Sequence, residues 1–161
     1  MKRGIQIIGI CLMLIFVMAA CSSPAVKQQE AQPTWKIAIQ LTGDKTIEFT
    51  DLNVAAIGTA DIKATLKKKD GTAKEQQWTG VALSKVLEHV GVKSYSTVVV
   101  EAADGYNKEY TPDLVDSPGT VLAVAADGTP LDAESGPVQL VVDGKGGNWW
   151  IKQVAKITVN E

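Results

Sequence analysis

An α+β fold, with mixed but mostly antiparallel sheets and a few short helices, follows from three features of the sequence. Four Asp-Gly dipeptides punctuate the chain: Asp70-Gly71, Asp104-Gly105, Asp127-Gly128 and Asp143-Gly144. Glycine accepts positive φ and aspartate bonds its own backbone, so each marks a turn between strands. Short β-branched runs lie around these turns, and a single longer stretch has the apolar period of a helix. The runs lack a βαβ rhythm, which argues against a doubly wound parallel sheet.

The chain opens with Lys2-Arg3 and an apolar run from Ile5 to Met18, interrupted by Gln6 and Gly9. A spanning helix needs roughly 20 apolar residues, so the length suits an export signal. Met18-Ala19-Ala20-Cys21 resembles the lipobox of bacterial lipoproteins. That resemblance implies a signal peptide over residues 1–20 and a lipid on Cys21. The mature protein is then expected on the extracytoplasmic face of the cell membrane or outer membrane. Residues 21–34 are polar, with Pro24, Pro33 and several glutamines but no apolar period, and read as a flexible tether. Fully extended, the tether would reach roughly 40–45 Å. Cys11 leaves with the signal and Cys21 is lipidated, so no thiol is left for a disulfide.

A single domain is expected over residues 35–161, long enough for one core. Trp35 to Leu41 alternates apolar residues on one face. Further strands are expected at Ile62–Leu66, Thr97–Ala102, Val121–Ala125, Val138–Val142 and Val154–Val159. Val98-Val99-Val100 and Leu140-Val141-Val142 are apolar on both faces and suit central strands. Within Val81–Val90, the residues Leu83, Val86, Leu87 and Val90 form one helical face. Thr79 or Gly80 can cap that helix, and Gly91 suits its left-handed end. Thr50-Asp51-Leu52 and Thr111-Pro112-Asp113-Leu114 can open two short helices.

Charge and motif exclude several functions. The formal net charge is −2, and the only arginine, Arg3, lies in the signal, so nothing suggests nucleic-acid binding. Asp143-Gly144-Lys145-Gly146-Gly147 lacks the phosphate-loop spacing and reads as a hairpin turn. His89 is the only histidine and cannot form a zinc site alone. No carboxylate pair has a spacing that argues for acid–base chemistry. Lys67-Lys68-Lys69-Asp70 reads as a solvated turn. Trp149 and Trp150 cannot both enter one core from an extended segment, so one is expected to face a cleft, a partner or solvent.

Together these pieces resemble a known family. Trp78-Thr79-Gly80-Val81-Ala82-Leu83 with Val86-Leu87 is similar to the Trp-x-Gly-Val-x-Leu stretch of sulfite oxidase-like, molybdopterin-binding domains. Asp104-Gly105-Tyr106, Val121-Leu122-Ala123, Asp127-Gly128-Thr129-Pro130-Leu131, Gly136-Pro137-Val138-Gln139-Leu140-Val141-Val142 and Trp150-Ile151-Lys152-Gln153-Val154 follow in the family's order. The resemblance implies that family's fold and a molybdopterin cleft. It also implies a molybdenum-ligating cysteine before the Trp-x-Gly stretch, where this chain has Ala64-Thr65-Leu66-Lys67-Lys68-Lys69. Lysine cannot replace a soft thiolate ligand. Gln139 stands where family members often carry arginine. The expectation is therefore a lipid-anchored, non-catalytic member with no cofactor, binding a small ligand or an envelope protein. Asp104, Tyr106, Asn148, Trp149 and Trp150 would line the former cofactor cleft, with Lys145 and Lys152 as anion contacts. The alternative is an oxidoreductase that binds molybdopterin without a protein thiolate.

Overall fold

The computed structural model describes residues 32–161; the signal segment, Cys21 and most of the tether lie outside the described residues. Ten strands and three short helices are described. β1 (Lys36–Leu41), β2 (Lys45–Thr50), β5 (Thr97–Ala102), β6 (Asn107–Tyr110) and β10 (Val154–Asn160) form one sheet in the order β2-β1-β10-β5-β6. Only β1 and β10 run parallel in it. The second sheet contains β3 (Ala60–Lys67), β4 (Ala73–Ala82), β7 (Thr120–Ala126) and β8 (Thr129–Pro130), with β9 (Gln139–Val142) paired to β7. All its pairings are antiparallel. The α+β architecture expected from the sequence is present.

Three Asp-Gly turns close hairpins: β3–β4, β5–β6 and β7–β8. At Asp127-Gly128 both residues have positive φ (50° and 76°), the requirement of a tight type I′ connection. The fourth, Asp143-Gly144, opens a wider loop that returns antiparallel to β9 only at the Leu140–Ile151 bridge. Strands β2, β4, β6 and the two-residue β8 were not among the apolar runs read as strands from the sequence. The first three are too polar to stand out: Lys45–Thr50 and Asn107–Tyr110 alternate charged or polar residues, and only the end of β4 is apolar.

β4 also corrects the expected helix start. Thr79 and Gly80 belong to the strand, and α2 (Leu83–His89) begins after Ala82. Gly80 serves close packing instead: a Cβ there would overlap the Leu122 carbonyl and lie 2.7 Å from the Ala123 Cα. Gly91 does end the helix in the left-handed region, at φ 87°. β5 lies inside its sheet as expected, whereas β9 lies off the main strand path although all four of its residues are buried. α1 (Asp51–Ile57) is capped by Thr50, whose N–H and Oγ1–H both donate to Asn53 Oδ1 at 2.8 and 2.9 Å. Thr34 donates to Asp51 through its hydroxyl at 2.6 Å, so the end of the expected tether is fastened to the domain. α3 (Pro112–Val115) has proline at its first turn.

Residues from both sheets and from α2 share one hydrophobic cluster, including Ile37, Ile39, Phe49, Leu83, Leu87, Leu122, Leu140 and Ile157. Full burial of each such aliphatic side chain contributes about 1.5–3 kcal/mol. No helix among the described residues is long and apolar enough to cross a membrane.

Candidate functional site

The segment between β9 and β10 organises the site. Asp143 Oδ1 accepts the Thr65 N–H at 2.7 Å, Gly144 N–H donates to Thr65 O, and Lys67 N–H donates to Lys145 O, which ties the loop to the end of β3. Gly147–Trp149 then form one 3-10 turn. Two tyrosines hold it from the other sheet: Tyr106 Oη–H donates to Asn148 O at 3.0 Å, and Tyr110 Oη–H to Trp149 O at 2.7 Å. Burial pushes the Tyr110 phenol well above its ordinary pKa, so it remains a donor.

The 3-10 turn sends the two tryptophans in different directions. Trp150 is buried, donates from Nε1 to Val142 O at 2.8 Å, and packs edge-on against Trp78 with centroids 5.4 Å apart. Trp149 is half-buried over Tyr110, with Lys108 Nζ 4.0 Å and Lys145 Nζ 5.3 Å from its ring centroid.

Beside Trp150 lies a cavity of about 480 Å³, within the range of small-molecule sites. Its apolar walls include Leu66, Trp78, Leu131 and Trp150, and its polar groups include Gln139, Asp132, Lys74 and Lys152. Gln139 is 4% exposed. Trp78 Nε1 is buried without a hydrogen-bond partner, a rare and costly state for an indole donor. Lys152 pairs with Glu134 at 2.6 Å. Asp132 accepts the Ser135 N–H at 2.8 Å; the Ser135 bonds, aided by the Lys152 charge, hold its carboxyl below the usual aspartate range. Gln153 adopts φ 47° and anchors this wall, donating from its backbone to Ser135 O and from Nε2 to Ala133 O at 2.7 Å.

The residues expected to line one cleft are distributed over three cavities. Trp150 and Lys152 line the 480 Å³ cleft. Both also border a cavity of about 370 Å³ that contains Asp104 and Tyr106. Asn148 borders a third, of about 610 Å³, with Leu66, Gly146, Gly147 and the Lys67–Lys69 turn. Trp149 and Lys145 meet each other outside these walls. Trp78, Lys74, Asp132 and Lys108 were missed as site residues. Trp78 had been read only as a scaffold motif, and Lys108 sits in a strand too polar to detect. Gln139 gave a usable signal, a lone amide within an apolar run. His89 stands apart, 3.3 Å from Asn53 Nδ2 and edge-on to Phe49.

A family model for the oxidoreductase molybdopterin binding domain matches residues 23–161. The chain belongs to this family. The crystal structure of the sulfane dehydrogenase SoxCD from Paracoccus pantotrophus shares the fold, with a TM-score of 0.69 and 22% sequence identity. The match covers 81% of this chain and 39% of that one, so the chain spans well under half of that protein's length. No curated protein matches.

The donor set can be tested against the family's cofactor. The cleft offers Gln139 and two lysines, which suit acceptor atoms on a ligand. It offers molybdenum no sulfur. Residues 64–69 carry no thiol, both cysteines precede residue 22, and no group of three His, Cys, Asp or Glu suited to a metal occurs among the described residues. The chain thus keeps a molybdopterin-binding fold but does not fit a thiolate-held molybdenum centre.

Proposed function

We propose that this protein is a lipid-anchored, extracytoplasmic binding module that holds a small ligand in the cleft beside Gln139 and carries out no molybdenum redox chemistry. The observation that carries this reading is the absence of a thiol from Ala64-Thr65-Leu66-Lys67-Lys68-Lys69, the stretch where the family resemblance calls for a cysteine. The basic start, the apolar run and the Cys21 motif support export and tethering. The cleft volume favours a small molecule over a protein partner.

The test is to express the full chain in a host that makes molybdopterin, extract it from membranes, and measure molybdenum and bound organic ligand per chain. Molybdenum far below one atom per chain is expected. A stoichiometric content would overturn the binding-module reading and establish the second one, an oxidoreductase with molybdopterin held by the cleft alone. The family match over residues 23–161 is what favours that second reading. Cys21→Ser is expected to move the protein from the membrane to the soluble fraction; retention of the variant in the membrane would refute lipid anchoring.

A further inference from the structure

We propose that the outward face of α1 lies on the bilayer that holds the lipid anchor, with Leu52 reaching the boundary between headgroups and acyl chains. This rests on the lipid-anchor reading of Cys21 and is independent of what the cleft binds.

The composition of α1 sets it apart. A helix at a protein surface carries charged or polar residues opposite its core-facing side, and one that is apolar all round is normally covered. α2 follows the rule, exposing Lys85, Glu88 and His89, and α3 exposes Asp113. α1 turns Val54 inward and exposes Leu52, Ala55 and Ala56, which share one face at i, i+3 and i+4. Its two polar residues are already engaged. Asp51 accepts from Thr34, and the Asn53 amide oxygen accepts from Thr50. No charged residue follows until Asp61, although Gly58, Thr59 and Ala60 are exposed as well. Leu52 and Tyr106 are the large hydrophobic residues exposed among the described residues, at 43% and 48%. Tyr106 uses its hydroxyl on Asn148 O, whereas Leu52 has no polar group to account for its exposure.

The position of the helix identifies what covers it. Thr34 donates to Asp51 through its N–H and its hydroxyl, so the chain leading from Cys21 meets the domain at the first turn of α1. The segment from Cys21 to Thr34 keeps that turn within roughly 40–45 Å of the bilayer. Tethering raises the effective concentration of the surface around this face, so a small apolar patch is enough for contact. Ile57 borders a shallow hollow of about 360 Å³ with Lys85, Glu88 and His89. Lys85 and Glu88 offset each other in charge, so the contact is apolar and shallow rather than electrostatic.

The experiment places one thiol, by Leu52→Cys, Ala56→Cys or Ala73→Cys, in the full lipidated chain. Its lipid blocks Cys21, and Cys11 leaves with the signal. Ala73 pairs with Lys67 at the far end of β3, about 23 Å along that strand from Ala60. Each variant is labelled with bimane and reconstituted sparsely into vesicles of phosphatidylethanolamine and phosphatidylglycerol that carry a nitroxide lipid. Quenching at positions 52 and 56 should exceed that at 73 at least two-fold. Leu52→Gln should lower the quenching at 56 to the level at 73. Equal quenching at all three positions, or no effect of Leu52→Gln, would overturn the proposal. So would a label at 52 that is shielded from aqueous iodide yet untouched by the nitroxide lipid, which would assign the face to a protein contact. A chain that does not float with the vesicles refutes the anchor and the docking together, whereas flotation without quenching refutes the docking alone.

Discussion

Trp78 and Trp150 pack edge to face, yet only one has a partner for its N–H, and replacing each by phenylalanine isolates that difference. The two substitutions delete the same atoms from neighbouring buried sites, so the transfer and cavity costs largely cancel in the comparison. Trp150→Phe also breaks the 2.8 Å bond to Val142 O. That carbonyl keeps a second, longer donor in Lys145 N–H at 3.3 Å, so the loss is about 1 kcal/mol rather than a full orphaning cost. Trp78→Phe removes a buried donor that has no partner, which recovers about 1–3 kcal/mol of desolvation. Trp150→Phe should therefore be the less stable variant by about 2–4 kcal/mol, the sum of those two differences. Urea unfolding followed by far-UV circular dichroism measures both midpoints, with the slopes checked for equality. Equal stability, or a less stable Trp78→Phe, would refute the assignment of Trp78 Nε1 as unpaired.

Gly80→Ala should destabilise the domain by about 1–3 kcal/mol or more in the same assay, because the new methyl meets the β7 backbone, which cannot rotate away. Gln153→Gly should relieve the positive φ yet loosen the 133–135 wall, seen as faster amide exchange at Ser135, whose carbonyl it holds. The Asp132 carboxyl has a lowered folded pKa, so its contribution is complete above about pH 4 and fades as the pH falls further. The Ser135 amide protection factor, corrected for the intrinsic exchange rate at each pH, should accordingly fall in acid, and an Asp132→Asn variant should lose that change. Tyr110→Phe should leave the fold intact but release the Trp149 carbonyl, giving a red-shifted, more quenchable indole emission.

What was legible followed from period and turn chemistry. β5 and β10 could be read because their apolar residues alternate or run together, and the Asp-Gly turns fixed where the chain reverses. β2 and β6 were illegible because their burial comes from neighbours rather than from their own composition. The helix boundary was misplaced because Val81 and Ala82 satisfy both the strand that they end and the helix that they precede. For the site, adjacency in sequence misled. Trp149 and Trp150 are neighbours in the chain, but the 3-10 turn assigns one to the lysines and the other to the core. The pairing of Trp150 with Trp78, and of Trp149 with Lys108, depends on contacts across sheets that no local pattern encodes.

The residues that carry the family resemblance are mostly those with packing tasks. Trp78 fills the core, Gly80 admits the β7 backbone, Leu83 and Leu87 anchor α2, and Asp127-Gly128 closes a hairpin. Each is constrained by geometry alone, whatever the cleft contains. The family resemblance instead asks for a cysteine within residues 64–69, the end of β3 and the start of the β3–β4 connection, where only Ala64 is buried in the core. A cysteine lost from the exposed part of that stretch, residues 67–69, would leave the core packing untouched. Scaffold and reactivity can therefore diverge within this fold, and membership in the family fixes the first while leaving the second to the residues of the turn.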